Sequence, residues 1–285
     1  MIIITGATGQ LGRPLVQQLL TRLPAEQVGV SVRDPEMAAD LAGQGVRVRQ
    51  GDFSDPDSLA TAFEGASRVL IVSTDGTGGT AVEKHQAAID SAKAAGASRI
   101  FYTSHVGARP ISAFSPMPDH AAAEQALQDS GVPFTSLRNG FYAAFAPTLL
   151  GDAVESGELR APEDGPISWT THADLAEAAA IALTDETLDE TELNLTGAEA
   201  VDLAGVAAIV SEIKGRPIKR VVVPDDEYRT GLINKGLPEA RVDILMGMFG
   251  ASRRGDFARV DPTLERMIGR SPVSLHSVLT DALAS

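Results

Sequence analysis

Residues 2–12, IIITGATGQLG, run from a β-branched apolar segment through glycines at 6, 9 and 12 into a helical stretch. A short, uniformly apolar run predicts a strand buried on both faces, as in parallel sheets. The glycines let the backbone turn sharply and approach a ligand closely. A helix that opens at such a turn directs unpaired N–H groups and the positive end of its dipole toward it. Strand, glycine turn and helix in that order predict a seat for the pyrophosphate of a dinucleotide, with Gly12 permitting close helix–strand packing.

The next 140 residues repeat the alternation. Strands are expected at 2–5, 28–32, 46–50, 69–73, 100–103 and 134–137, and helices at 15–23, 59–63, 82–95 and 121–127. Asp34-Pro35 and Asp55-Pro56 each put a carboxylate cap before a proline suited to the first helical position. This rhythm predicts an α/β fold, a doubly wound parallel sheet with helices on both faces and ligands at the carboxyl ends of the strands. Beyond residue 150 the rhythm loosens: a helix at 173–183, a strand in LNLTG, a helix at 203–214, the run IKRVVV and short helical pieces ending in 275–283. The expected organisation is a nucleotide-binding domain over 1–150, to which 173–196 returns, and a smaller interleaved α+β lobe over 151–285.

Composition removes several functions. A formal charge of −14 repels phosphodiester backbones and anionic lipid, so neither nucleic acid nor membrane is an expected partner. Without cysteine there is no thiolate catalysis and no zinc–thiolate site. His85, His105, His120, His172 and His276 show no H-E-x-x-H spacing, and no G-x-S-x-G elbow occurs. The opening MIIITGATG has no basic leader and no apolar run reaches spanning length, so a cytoplasmic protein is expected.

At the end of the second strand stand Arg33 and Asp34. Asp34, before Pro35, is expected to be occupied as a helix cap, leaving Arg33 for a 2′-phosphate, which predicts NADP(H) over NAD(H). After the third strand, Asp52 and Phe53 either contact adenine with an acceptor and a ring or form a simple turn. His120 and Glu124, four residues apart on the line of Leu127, are either an inward-facing pair with a role or a capping or surface pair without one. A position near a helix N-terminus would keep His120 neutral and able to hydrogen-bond. Lys84-His85 reads as a solvated helical face, Asp174 as a cap or structural contact, and Trp169 as packing in the second lobe.

TGATGQLG, VRQGDFSD, SAKAAGASRIFYTS, SGVPFTSLRNGFY and IKGRPIKRVVVPDDEYRTGL span nearly the whole chain. Together they resemble the NmrA-like atypical short-chain dehydrogenases, in particular their NADPH:quinone oxidoreductase branch. The resemblance implies a Rossmann-type NADP(H) domain, a cleft closed by the C-terminal lobe, and hydride transfer from NADPH to a quinone. It places the phosphate loop at Gly6, Thr8, Gly9, Gln10, Leu11 and Gly12, the 2′-phosphate contact at Arg33 and the adenine edge at Asp52 and Phe53. The nicotinamide ribose would lie beside Ser73, Thr74, Thr103 and Ser104. The nicotinamide and acceptor end falls on Arg138, Asn139, Gly140, Phe141 and Tyr142. The loops STDGTGGT and HVGARPIS are expected to shape the acceptor site.

Conventional members use Tyr-x-x-x-Lys, a tyrosine acid beside a lysine. Four residues beyond Tyr102, Tyr142 and Tyr228 stand Val106, Ala146 and Leu232, so no such pair exists here. His120-x-x-x-Glu124 falls in the region of that pair. A quinone, which takes hydride into a conjugated system, needs less proton transfer than a ketone, so a small-molecule, quinone-like electron acceptor is the expected substrate. His120 would orient the acceptor or supply a proton, while Asn139 and Tyr142 shape and polarise its pocket. The alternative is a non-catalytic NADP(H)-sensing regulator acting through a protein partner. A homodimer is compatible with either reading.

Overall fold

In the computed structural model, which describes residues 1–74 and 78–284, the expected alternation is realised. It runs β1 (Ile2–Thr5), α1 (Gly12–Leu20), β2 (Val28–Val32), α2 (Ala39–Gly43), β3 (Arg47–Gln50), α3 (Pro56–Phe63), β4 (Arg68–Ile71), α4 (Gly79–Ala94), β5 (Arg99–His105), α5 (Pro116–Ser130) and β6 (Phe134–Asn139). The chain continues through β7 (Phe141–Tyr142), α6 (Ala153–Ser156), β8 (Glu158–Ala161), β9 (Trp169–Thr170), α7 (His172–Thr184) and β10 (Glu192–Leu195). Then follow α8 (Leu203–Lys214), β11 (Lys219–Val222), α9 (Asp225–Asn234), α10 (Glu239–Arg253), α11 (Thr263–Ile268) and α12 (Leu275–Ala284). Residues 75–77, part of the STDGTGGT loop, lie outside the described residues.

The main sheet has seven parallel strands in the order β10-β6-β5-β4-β1-β2-β3. The winding reverses between β1 and β4, and there the crossovers leave a crevice at the carboxyl ends of the strands. This is the Rossmann-type doubly wound sheet. Leu15, Val16 and Leu19 of α1 pack on one sheet face with Ala176, Ala179 and Leu183 of α7. Phe63, Ile89 and Leu127 of α3, α4 and α5 cover the other, over Ile3, Val69 and Tyr102. Each large side chain buried in this way contributes roughly 1.5–3 kcal/mol before the entropy of ordering is subtracted. A third apolar cluster, built around Trp169, Phe249 and Phe257, belongs to the later segments and draws in Met117 from α5. Trp169 is packing, as expected, with its Nε1 donating to the carbonyl of Val201 at 3.0 Å.

Helix α5 departs from expectation. It begins at Pro116 rather than 121, because Pro116 and Pro118 sit in the first turn, where a missing N–H leaves no bond unmade. It ends where Gly131 adopts φ +71°. His120 therefore stands a turn inside the helix and not at its mouth. Helix α7 starts from a reciprocal cap: Thr171 Oγ1 accepts from the Asp174 N–H at 3.1 Å and donates to its carboxylate at 2.7 Å. No helix among the described residues is long and apolar enough to cross a membrane.

Asp174 is fully buried and joins α7 to the C-terminal segment, accepting from the Val273 N–H at 2.9 Å and pairing with Arg270 at 2.7 Å. Asp174→Ala removes the acceptor for Val273 N–H and Thr171 Oγ1, while the half-exposed Arg270 keeps Glu177 at 2.7 Å, and we expect it to lower unfolding free energy by about 2 kcal/mol, read as a fall in denaturant midpoint by circular dichroism.

Candidate active site

The crevice at the β1/β4 switch holds two adjoining cavities of about 380 and 690 Å³. Gly6, Gly9, Val72, Ser73 and Thr74 line both, so they form one continuous groove. At its centre is the glycine turn. Gly6 takes φ +61°, and a methyl group on Gly12 would fall 2.2 Å from the Gly6 carbonyl oxygen, so α1 can pack this closely only with hydrogen there. The amino end of α1 has no side-chain cap and no acidic residue in its first turn. The positive end of its dipole suits an anion such as a pyrophosphate.

The smaller cavity extends over β2 and β3. Thr8, Arg33, Asp52 and Phe53 line it, joined by Lys84 from α4. Asp34 is occupied as expected, its carboxylate accepting from the Glu36 N–H at 3.0 Å. Arg33 is exposed, and its guanidinium makes no ion pair among the described residues. Asp52 forms the turn, Oδ1 accepting from the Ser54 N–H at 2.8 Å, and the residue also lines the groove.

The floor between the cavities is held from behind. The Val72 N–H donates to Thr5 Oγ1 and the Ser73 N–H to Thr103 Oγ1, each at 2.8 Å. Thr103 thus supports the groove and lines neither cavity, since its hydroxyl is spent on Ser73. The Thr74 N–H donates to His85 Nε2 at 3.1 Å. This overturns the solvated-face expectation for Lys84-His85: His85 is 2% exposed, and burial lowers its pKa to about 4. Helical phase turns the two neighbours in different directions, one to the groove and one to the core.

The larger cavity receives Gln10, Leu11 and Gly12 from the turn, Ser104 and His105 from β5, and His120 from α5. Phe114, Met117, Phe141, Tyr142, Phe145 and His172 enclose it. The Tyr142 and His172 rings lie 4.3 Å apart, and Phe141 meets His105 edge-on at 5.7 Å. Among the described residues no Asp, Glu, Lys or Arg lines this space. Its histidines are neutral. His105 Nδ1 accepts from the Gly107 N–H at 2.9 Å, and burial pushes its pKa to about 3. His120 meets the Tyr102 hydroxyl at 2.9 Å through Nδ1, and its pKa is also about 3, by burial first and then by its histidine neighbours. Neutrality was the expectation for His120; burial, not the helix dipole, is its main cause.

His120 and Glu124 face inward without touching each other's partners. Glu124 takes Arg138 in a two-pronged bond at 2.8 and 2.6 Å and accepts from Ser104 Oγ at 2.7 Å. Arg138 pairs also with Glu192 of β10 at 2.7 Å. Arg138, Asn139 and Gly140, expected at the nicotinamide end, line neither cavity. Arg138 is held by two carboxylates, and Asn139 is 2% exposed within the sheet. At Gly140 a methyl would lie 2.3 Å from Thr170 Oγ1, so this glycine serves the approach of the β9 strand. Of the residues not singled out, His105 was legible as the last residue of the fifth strand, where ligands are expected. Phe114, Phe145 and His172 arrive from the loop after β5 and from later segments, and carry no local signal. No cluster of three or more His, Asp or Glu able to hold a metal ion occurs among the described residues.

Comparison with known proteins agrees with this geometry. Residues 6–186 match the family described as NAD(P)H-binding. Quinone oxidoreductase 2 of Escherichia coli K12 is 34% identical over 281 residues, covering 96% of each chain. An NmrA-like family domain-containing oxidoreductase of Aspergillus flavus is 28% identical over 280 residues, covering 95% of this chain and 91% of that one. The crystal structure of the Citrobacter sp. triphenylmethane reductase complexed with NADP(H) superposes with a TM-score of 0.90 at 33% identity, over 99% of this chain and all of the other.

The buried histidines carry a pH signature. His85, His105 and His120 take up protons at about 4, 3 and 3 in the folded protein, against about 6.5 in an unfolded chain. Below about pH 6.5 the unfolded chain therefore binds more protons, so the stability these rings provide is complete above that pH and is lost as pH falls toward 4 and 3. Between pH 7 and 5 we expect a loss of roughly 1–2 kcal/mol per histidine, measured by denaturant titration at each pH. Constant stability across that interval would contradict their burial.

Proposed function

The chain belongs to the NmrA-like, NAD(P)H-binding family, and from that footing we propose that it is an NADPH-dependent reductase of neutral, flat, conjugated acceptors of the quinone type. The observation that carries the reading is the larger cavity. In a protein with 38 acidic residues, the described lining of this one space is aromatic rings, Met117, hydroxyls and neutral histidines, with no charge. Such a lining favours an uncharged planar molecule and repays its desolvation through ring contacts. Hydride transfer is the chemistry that bound NADPH supplies.

The residues of this chain supply binding, orientation and polarisation. Gly6, Gly9 and the amino end of α1 seat the diphosphate, and Ser73 and Thr74 flank the passage toward the acceptor. Arg33 pairs with the 2′-phosphate, with Asp34 withdrawn into its cap. Tyr142, braced by His172, forms one wall over the acceptor, and Phe141 and Phe114 form another. His120 orients the acceptor by hydrogen bonding. As a neutral imidazole it is a poor proton source, so the single proton that quinone needs besides hydride comes from water. Asn139 lies one layer back at the end of β6, its carbonyl accepting from the Val106 N–H at 3.0 Å, beneath the wall that begins at Phe141.

NADPH oxidation with a panel of benzo- and naphthoquinones, against a control lacking acceptor, tests the reading. Acceptor-dependent turnover is the expected result. Tight NADPH binding without any turnover would overturn it in favour of a cofactor-sensing role. Arg33→Ala is expected to weaken NADPH binding about 10–100-fold, as for one charge-assisted bidentate contact, and NADH binding less than twofold. Equal losses measured by fluorescence titration would remove the argument for the 2′-phosphate.

A further inference from the structure

We infer that Tyr102 is a positioning residue that fixes His120 as an Nε2–H donor to the acceptor, so that the site prefers acceptors ending in a hydrogen-bond-accepting oxygen or nitrogen over flat acceptors that lack one. The inference rests on the reductase reading and names the substrate class of that same cavity.

Tyr102 lies in β5 with no exposed surface, in the core formed by Ile3, Val69 and Ile71. A phenol in such a place costs free energy unless its hydroxyl is bonded. Its described partner is His120 Nδ1, at 2.9 Å across the strand–helix boundary. If Nδ1 carried the proton, the phenolic hydrogen would be left buried without an acceptor, so the arrangement that satisfies both groups has the phenol donating to a bare Nδ1. A neutral imidazole then carries its hydrogen on Nε2.

The surroundings leave that hydrogen to the cavity. The described hydrogen bonds of His120 do not use Nε2, and the ring lines the cavity beside Ser104 and Phe141. The carboxylates on the same helix are committed elsewhere. Asp119 accepts from the Gly78 N–H at 2.7 Å, and Glu124 is held by Arg138 and Ser104. Across the cavity floor, His105 and His85 each spend one nitrogen on a backbone N–H, at Gly107 and Thr74. Neither can therefore take the His120 hydrogen with that nitrogen.

The same contact limits proton transfer. Burial, with Glu124 and Asp119 adding to it, raises the Tyr102 pKa well above the ordinary phenol value. Passing a proton through His120 would leave a buried phenolate, so Nε2–H stabilises developing charge on the acceptor without leaving its nitrogen. The acceptor gains two electrons and one hydrogen as hydride, and its second hydrogen comes from solvent.

Histidine ¹⁵N correlation spectra of the ligand-free protein test the assignment without turnover, with the His120 signals identified by H120Q. The expected pattern is a protonated Nε2 and an unprotonated Nδ1 from pH 5 to 8. In Y102F the pattern should shift toward a tautomer mixture, with NADPH affinity within twofold of wild type. With a quinone, kcat/KM should fall about tenfold, less than the loss on deleting a direct oxyanion donor. With a cationic triphenylmethane dye, which has no carbonyl oxygen and whose amino nitrogens are delocalised into the cation and accept no hydrogen bond, it should change less than twofold. A protonated Nδ1 in the wild type overturns the Tyr102 assignment by itself, whether or not Y102F folds. An unchanged ¹⁵N pattern in a folded Y102F does the same. Equal losses on quinone and dye overturn the substrate preference alone. Absence of turnover with every acceptor overturns that preference together with the reductase reading, while the ¹⁵N pattern still decides the role of Tyr102.

Discussion

The contact between the Gly6 carbonyl and Gly12 is the constraint on which the rest depends. There α1 lies so near the end of β1 that a single methyl group would sit 2.2 Å from a backbone oxygen. This approach directs the uncapped amino end of α1 at the crevice where β1 and β4 pair. Every other wall of the groove is registered to that point. Ser73 and Thr74 are tied to it through Thr5, Thr103 and His85, and the ends of β2 and β3 bring Arg33, Asp52 and Phe53 alongside.

Around this point the protein separates charge from chemistry. The smaller cavity has cations, Arg33 and Lys84, where a phosphate-bearing ligand would need them. The larger cavity has neutral groups only among its described residues, although the chain as a whole is strongly acidic. Two carboxylates that come near are paired with cations: Glu124 with Arg138, and Asp256, beneath the loop after β5, with Arg109 and Arg254. Burial then keeps His85, His105 and His120 uncharged through the physiological range. A charge left in that space would repel or trap an apolar acceptor, so the ion pairs outside it are as much part of the site as its lining.

Much of this was legible in the chain. The strands and the caps at Asp34 and Asp55 follow from near neighbours, and they appear where the local pattern puts them. The glycine turn, Arg33, Asp52, Phe53, Ser73 and Thr74 all face the groove, because a motif at the end of a parallel strand has little choice of direction. The surroundings of the RNG stretch were not legible. Its arginine and asparagine look like ligand-binding groups, but Glu192, far along the chain, and Glu124 claim the guanidinium, and the sheet encloses the amide. His85 misled, since its lysine neighbour suggested solvent while the helical turn carried the imidazole inward.

By itself the sequence determined the alternation of elements, the parallel sheet, the glycine turn at its crevice and the positive charge of Arg33 at the end of the second strand. All of these are set by residues within a few positions of one another, through backbone sterics, capping and periodicity. Tertiary structure alone decided the state and the task of the polar side chains. Tyr102 meets His120 across 18 residues, Ser104 meets Glu124 across 20, and Arg68 reaches the Leu183 carbonyl across 115. The tautomer of His120, the neutrality of its neighbours and the silence of Arg138 depend on which partner and how much water each group meets. Both are properties of the packed sheet and helices, and no local stretch of sequence encodes them.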